Sequence, residues 1–140
     1  MPFKFDEINL LAVLVAGLAT FFLGGLWYTA LFGKLWIGLA GYSEEKVKEL
    51  RARTPPAVFF GGMVACYLLV AFVVAVLVTS LGLTTPVSGA ALGVLLWLAV
   101  AAVGMTAHLA GDKPIGMYLI DVSFQLMFFV LMGAMLASWR

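Results

Sequence analysis

The sequence predicts an all-α integral membrane bundle of four transmembrane helices, with a short amphipathic cytoplasmic helix between the first and the second. Three observations carry this. Hydrophobic residues make up 64% of the 140 positions and charged residues 11%, against roughly 45–50% and about 25% in soluble domains. About 90 apolar residues result, close to what four bilayer spans of roughly 20–22 residues consume. Most of the charge is gathered between positions 32 and 54, leaving long apolar runs broken by short turns rich in Pro and Gly. We read residues 1–140 as a single transmembrane domain.

The first span, about 8–31, carries no Lys, Arg, Asp or Glu and is long enough for a hydrocarbon layer of about 30 Å. A cleaved signal peptide is not expected, because Lys4 is offset by Asp6 and Glu7 where such a segment has a basic start. In the charged loop, about 32–54, Ser43 is placed to cap a surface helix over 43–53. Glu44 and Glu45 lie in its first turn and Arg51 and Arg53 in its last, matching the helix dipole. Ahead of it, Phe32, Leu35, Trp36, Ile37 and Leu39 alternate with glycines, a pattern suited to the headgroup region. The second span, about 55–81, opens on Thr54-Pro55-Pro56, and the third, 86–110, on Thr85-Pro86: a capping hydroxyl followed by proline. Gly111-Asp112-Lys113-Pro114 turns the chain into the fourth span, 114–139. The short second and third loops predict antiparallel neighbours.

Orientation follows from the cations. Lys34, Lys46, Lys48, Arg51, Arg53 and Lys113 lie in the first and third loops, and only Lys4 and Arg140 on the other side. The positive-inside rule then puts the first loop in the cytoplasm and both termini outside, in a bacterial inner (cytoplasmic) membrane. A formal net charge of +1 offers no basic surface for nucleic acid. The single Cys66 and single His108 give no disulfide and no clustered ligand set. No GxSxG, HExxH or phosphate-binding loop is present. We expect no enzyme, no cofactor and no metal.

Lipid is as apolar as leucine, so helices in a bilayer associate through close packing of small residues. Ala12, Ala16, Thr20 and Gly24 form such a stripe on the first span. Comparable rows are Ala71, Ala75 and Thr79 on the second, and Gly89 and Gly93, then Ala102, Thr106 and Ala110, on the third. They serve packing within the chain or a subunit contact. Four thin helices enclose too little volume for an aqueous pore, so a transport role implies a homo-oligomer.

Asp121 is the one carboxyl deep in a span. Seven residues past Pro114, it lies about 10 Å into the hydrocarbon, where a lone carboxylate costs at least ~2.5–3.5 kcal/mol. Gln125 at i+4 and Tyr118 at i−3 share its face, which is expected to point into the bundle. His108, near the same end of the third span, is placed some ~9 Å from Asp121 along the axis. Together they define a polar intramembrane locus. It is either a buried acid fixing helix register or a site for a proton or cation, and His108 alone also fits an interfacial histidine. Trp27 and Tyr28 fit an aromatic belt, or with Trp36 one wall of a site for an organic cation or lipid headgroup. Met117, Met127, Met132 and Met135 read as adaptable packing.

Leu23-Gly24-Gly25-Leu26-Trp27-Tyr28 and Leu31-Phe32-Gly33-Lys34-Leu35-Trp36 resemble the opening signature of the small bacterial membrane proteins called the "domain of unknown function 1761" family. Tyr118-Leu119-Ile120-Asp121, with Met132-Gly133-Ala134-Met135-Leu136 and Trp139, resembles its last helix. Where members commonly carry Asn this chain has Asp121, and where many have Gly-Tyr-His it has Ser123-Phe124-Gln125. The resemblance implies four transmembrane helices and brings no activity with it.

The functional expectation is a small oligomeric transport or permeation protein with its polar locus at Asp121. The rival is a non-catalytic accessory or scaffold subunit of a larger membrane complex, in contact with membrane lipid and no nucleic acid. A weaker third reading is a membrane enzyme acting on lipid through Asp121, His108 and Tyr118.

Overall fold

The computed structural model describes residues 2–139. Arg140, counted above among the cations of the terminal side, lies outside them. The chain is helical throughout its spans, with no strand among the described residues. Helix α1 runs over Leu10–Leu26, and the side chain of Asn9 caps it by accepting from the Ala12 amide at 3.1 Å. It continues into a π-helical turn, Trp27–Leu31, closed by Phe32 N–H donating to the Trp27 carbonyl five residues back at 2.8 Å. Gly33 is required directly afterwards, since a Cβ there would lie 2.5 Å from the Tyr28 carbonyl oxygen.

Two short helices make up the charged loop, where the sequence predicts one. Helix α2, Gly33–Ala40, stops at Gly41, whose φ of +72° lets Gly41 and Tyr42 turn their amides back to the Gly38 and Ile37 carbonyls. Helix α3, Glu44–Arg53, begins where Ser43 accepts from the Lys46 amide at 3.1 Å. The long helices follow: α4 over Pro56–Ser80, α5 over Pro86–Ala110 and α6 over Ile115–Ser138. At α5 the capping device works as expected, Thr85 and Ser88 bonding reciprocally. At α4 it does not: Pro55 occupies the cap position, no side chain caps the helix, and the Thr54 hydroxyl is uninvolved.

Helix α1 with its π turn, α4, α5 and α6 are each long and apolar enough to cross a membrane, and the protein is an integral membrane bundle. Its plan is a three-helix core of α1, α4 and α6, with α5 laid on the outside of α6. The expected α4–α5 pairing is therefore corrected. Their short connection brings the ends together, but α5 follows α6 along its length because Gly89 and Gly93 let the backbones meet. A Cβ on Gly89 would fall into the Gly133 carbonyl, and one on Gly93 into the Phe129 carbonyl. Ala12, Ala16, Thr20 and Gly24 are buried, as are Ala71, Ala75 and Thr79. The row Ala102, Thr106 and Ala110 faces outward instead, Ala101 and Gly104 being the positions turned to Tyr118 of α6.

The charged loop and the turn before α6 share one end of the bundle: Lys113 Nζ sits 5.2 Å from the centre of the Tyr42 ring, and Leu39 packs on Gly116. At the other end, Lys4 N–H donates to Ser80 Oγ at 2.9 Å, tying the N-terminal segment to the close of α4.

A candidate intramembrane binding cleft

At the charged-loop end, α1, α2, α3, α4 and α6 surround a crevice of about 930 Å³. Its geometry follows from the stripe on α1. Counting on from Gly24 by three and four residues keeps Trp27 and Tyr28 on the face toward α6, so both rings turn inward. Trp27 Nε1–H donates to the Ile120 carbonyl at 3.2 Å, with the ring against Phe32 and Phe124. Trp27 is partly buried, with its indole bonded to the α6 backbone, and it is not among the residues that line the crevice.

Tyr28 reaches the carboxyl. Its hydroxyl donates to Asp121 Oδ1 at 2.5 Å, and Trp36 Nε1–H on α2 donates to the same oxygen at 3.2 Å. The two rings stand nearly perpendicular, at 87°. Trp36 thus belongs to the site, as one wall of it. Asp121 Oδ2 receives no donor from the described residues, and the carboxyl lines the crevice together with Gln125.

Ionised at this depth, the carboxyl costs at least ~2.5–3.5 kcal/mol. Hydrogen bonds to a charged group return roughly 1.5–3 kcal/mol each. Two donors on Oδ1, together about 3–6 kcal/mol, match or exceed that minimum cost, and Oδ2 accepts from no described residue.

The polar locus splits on α6. Tyr118 does not join Asp121; its hydroxyl donates to the Ala101 carbonyl of α5 at 2.5 Å, and its ring lies 5.5 Å from that of His108. A three-residue step turns a helix by about 60°, enough to carry Tyr118 from the cleft face to the α5 face. His108 stays with Tyr118, and the proton-transfer group of Asp121, His108 and Tyr118 is not formed.

A family model described as "Protein of unknown function (DUF1761)" matches residues 11–137. The chain belongs to this family. No curated protein and no solved structure matches it.

In this DUF1761 protein the cleft also takes residues that the sequence reading passed over. Tyr67, near the middle of α4, lines it with its ring against Phe124 and Phe128. A phenol at mid-span was the available signal. Arg51 of α3 lines it too and makes no ion pair with a described residue, whereas Arg53 and Lys46 both reach Glu49. Nothing in the sequence separates Arg51 from its neighbours. Phe59 and Phe60 of α4 complete the lining while remaining half-exposed on the outer surface. A second crevice, about 500 Å³ between α1, the start of α5 and α6, is bounded by apolar side chains and the hydroxyls of Thr20 and Ser138, with no ionisable group.

Proposed function

We propose that this protein is a small transport or permeation protein of the bacterial inner membrane, acting as an oligomer, and that the Asp121 cleft holds the cationic group of what it moves. One observation carries the reading: a carboxyl inside a candidate span lines an aromatic crevice, one of its oxygens fixed by Tyr28 and Trp36 and the other without a donor among the described residues. Ring faces attract cations, and the crevice has the size of a small-molecule site, roughly 300–1,000 Å³. The reading is of a binding and transfer protein, with no reaction, cofactor or metal assigned to it.

Uptake of a quaternary-ammonium dye into vesicles reconstituted with the protein tests it. Asp121→Asn is expected to lower the rate at least about tenfold, the loss of one charge-assisted contact. Uptake equal in wild type and variant overturns the proposal. We further propose that the end bearing α2 and α3 faces the cytoplasm, by its excess of Lys and Arg. In a Cys66→Ser background, Lys48→Cys is expected to resist an impermeant thiol reagent on intact cells and Pro2→Cys to react. The reverse pattern overturns this orientation.

A second reading is favoured by α5, of which only 11% of the most apolar stretch is buried. An outer helix held chiefly by α6 suits a subunit of a larger membrane complex. Purification in mild detergent separates the two: co-purification of a stoichiometric partner supports the accessory role, and a lone homo-oligomer counts against it.

A further inference from the structure

We infer that the cleft's ligand is the headgroup of a zwitterionic phospholipid, an ammonium at Asp121 with its phosphate at Arg51. This rests on the cation-binding reading above and adds the second charge and the lipid. Two groups of opposite charge line one crevice, and neither has an ion-pair partner among the described residues. Asp121 Oδ2 accepts from no described residue, and Arg51 has no ion pair although Glu49 is shared by Lys46 and Arg53 one turn either side.

Each simpler ligand leaves a charge against it. A bare cation meets a guanidinium without an ion pair among the described residues, and a bare anion meets a carboxyl in a medium where like charges repel strongly. A molecule carrying both signs satisfies both groups. Arg is also the side chain whose planar fork matches a phosphate.

The surroundings select a lipid over a free solute. The lining is mostly apolar, with Phe21, Phe59, Phe60, Phe124 and Phe128 among its members. On α4, Phe59 and Phe60 line the crevice and still each expose 51% of their surface, so the crevice borders an outward apolar face of a candidate span, a face suited to acyl chains. A headgroup tipped inward at Asp121 keeps its chains in the bilayer along α4. Tyr28 and Trp36, already bonded to Oδ1, hold the carboxyl still for it.

Native mass spectrometry of the detergent-solubilised protein, titrated with short-chain lipids, tests the inference. Phosphatidylethanolamine is expected to bind at least about tenfold more tightly than phosphatidylglycerol, which has the phosphate without the ammonium. Arg51→Gln lies on an exposed helix and folds regardless of the outcome. It is expected to weaken phosphatidylethanolamine about tenfold while leaving a dodecyltrimethylammonium probe unweakened. Asp121→Asn is expected to weaken both. If Arg51→Gln leaves phosphatidylethanolamine binding unchanged while Asp121→Asn abolishes it, the zwitterion falls and the cation site stands. If neither substitution moves any probe, both fall. Soluble phosphoethanolamine binding as tightly as the lipid would overturn the lipid source.

Discussion

The two halves of α6 are held in opposite ways. From Phe128 to Ala137 it is gripped by small contacts: the Gly133 backbone lies on that of Gly89, Gly93 on the Phe129 carbonyl, and Met132 and Leu136 are buried against the core of Val74 and Val78. From Tyr118 to Gln125 it is held off by rings. Trp27, Trp97 and Tyr118 each send a polar hydrogen to a main-chain carbonyl, of Ile120, Val122 and Ala101, while Tyr28 and Trp36 meet Asp121. Glycine lets backbones close until nothing fits between them. A ring spaces helices apart and needs a partner for its polar tip. The crevice with an ionisable group lies beside the second kind of packing, where the carboxyl is; the one beside the first half has an apolar lining with two hydroxyl-bearing residues.

The largest expected effect breaks the tight half. Gly133→Leu pushes a side chain into the Gly89 backbone, and overpacking without room to relax is expected to cost more than ~3 kcal/mol. Size-exclusion chromatography should show loss of the folded species. Gly62→Ala, by contrast, meets nothing within 4 Å and is expected to stabilise α4 by up to about 1 kcal/mol through helix propensity alone. If both variants behave alike, close approach is not what holds the tight half.

Asp121→Leu probes the open half and separates structure from function. It strands the Tyr28 and Trp36 donors, at roughly 1–3 kcal/mol each, but also removes a carboxyl that costs ~2.5–3.5 kcal/mol at this depth. The terms oppose each other, so unfolding measured in micelles should shift by no more than about 3.5 kcal/mol while dye uptake is lost. A protein that unfolds outright would make Asp121 a register-fixing acid.

Tyr118→Phe sharpens the division between the two faces of α6. One hydrogen bond to a helix carbonyl is removed, worth about 1 kcal/mol. Uptake is expected to be unchanged, whereas Tyr28→Phe, on the cleft face, should reduce it. Smallest is Ser43→Ala, which removes the α3 cap. It is expected to cost about 1 kcal/mol, visible as faster amide exchange confined to α3.

Much of this was legible in the chain. The spans, the Ser43 and Thr85 caps and the buried stripe on α1 follow from periodicity and end chemistry, because a long uncharged run has few other fates. Asp121 stood out because a carboxyl in a span is expensive wherever the helix turns. Its partners did not stand out. Tyr28 lies 93 residues away and Trp36 lies 85 away, and aromatic residues near a span end also fit an interfacial belt. Tyr118 shows the converse, since it is close enough in sequence to share a face with Asp121 and yet bonds to α5.

By itself the sequence determined that the chain has four helices fit to cross a membrane, roughly where those four run, and that one acid had to be accommodated. Those outcomes depend on local hydrogen bonding and on the cost of polar groups in oil, which neighbouring residues already fix. Tertiary structure alone decided that α5 pairs with α6 and not α4, that the π turn and α2 fold back over Asp121, and that Arg51 faces the same crevice. In a bilayer every helix face is apolar, so hydrophobicity cannot choose between partners; the choice is made by the fit of one surface on another.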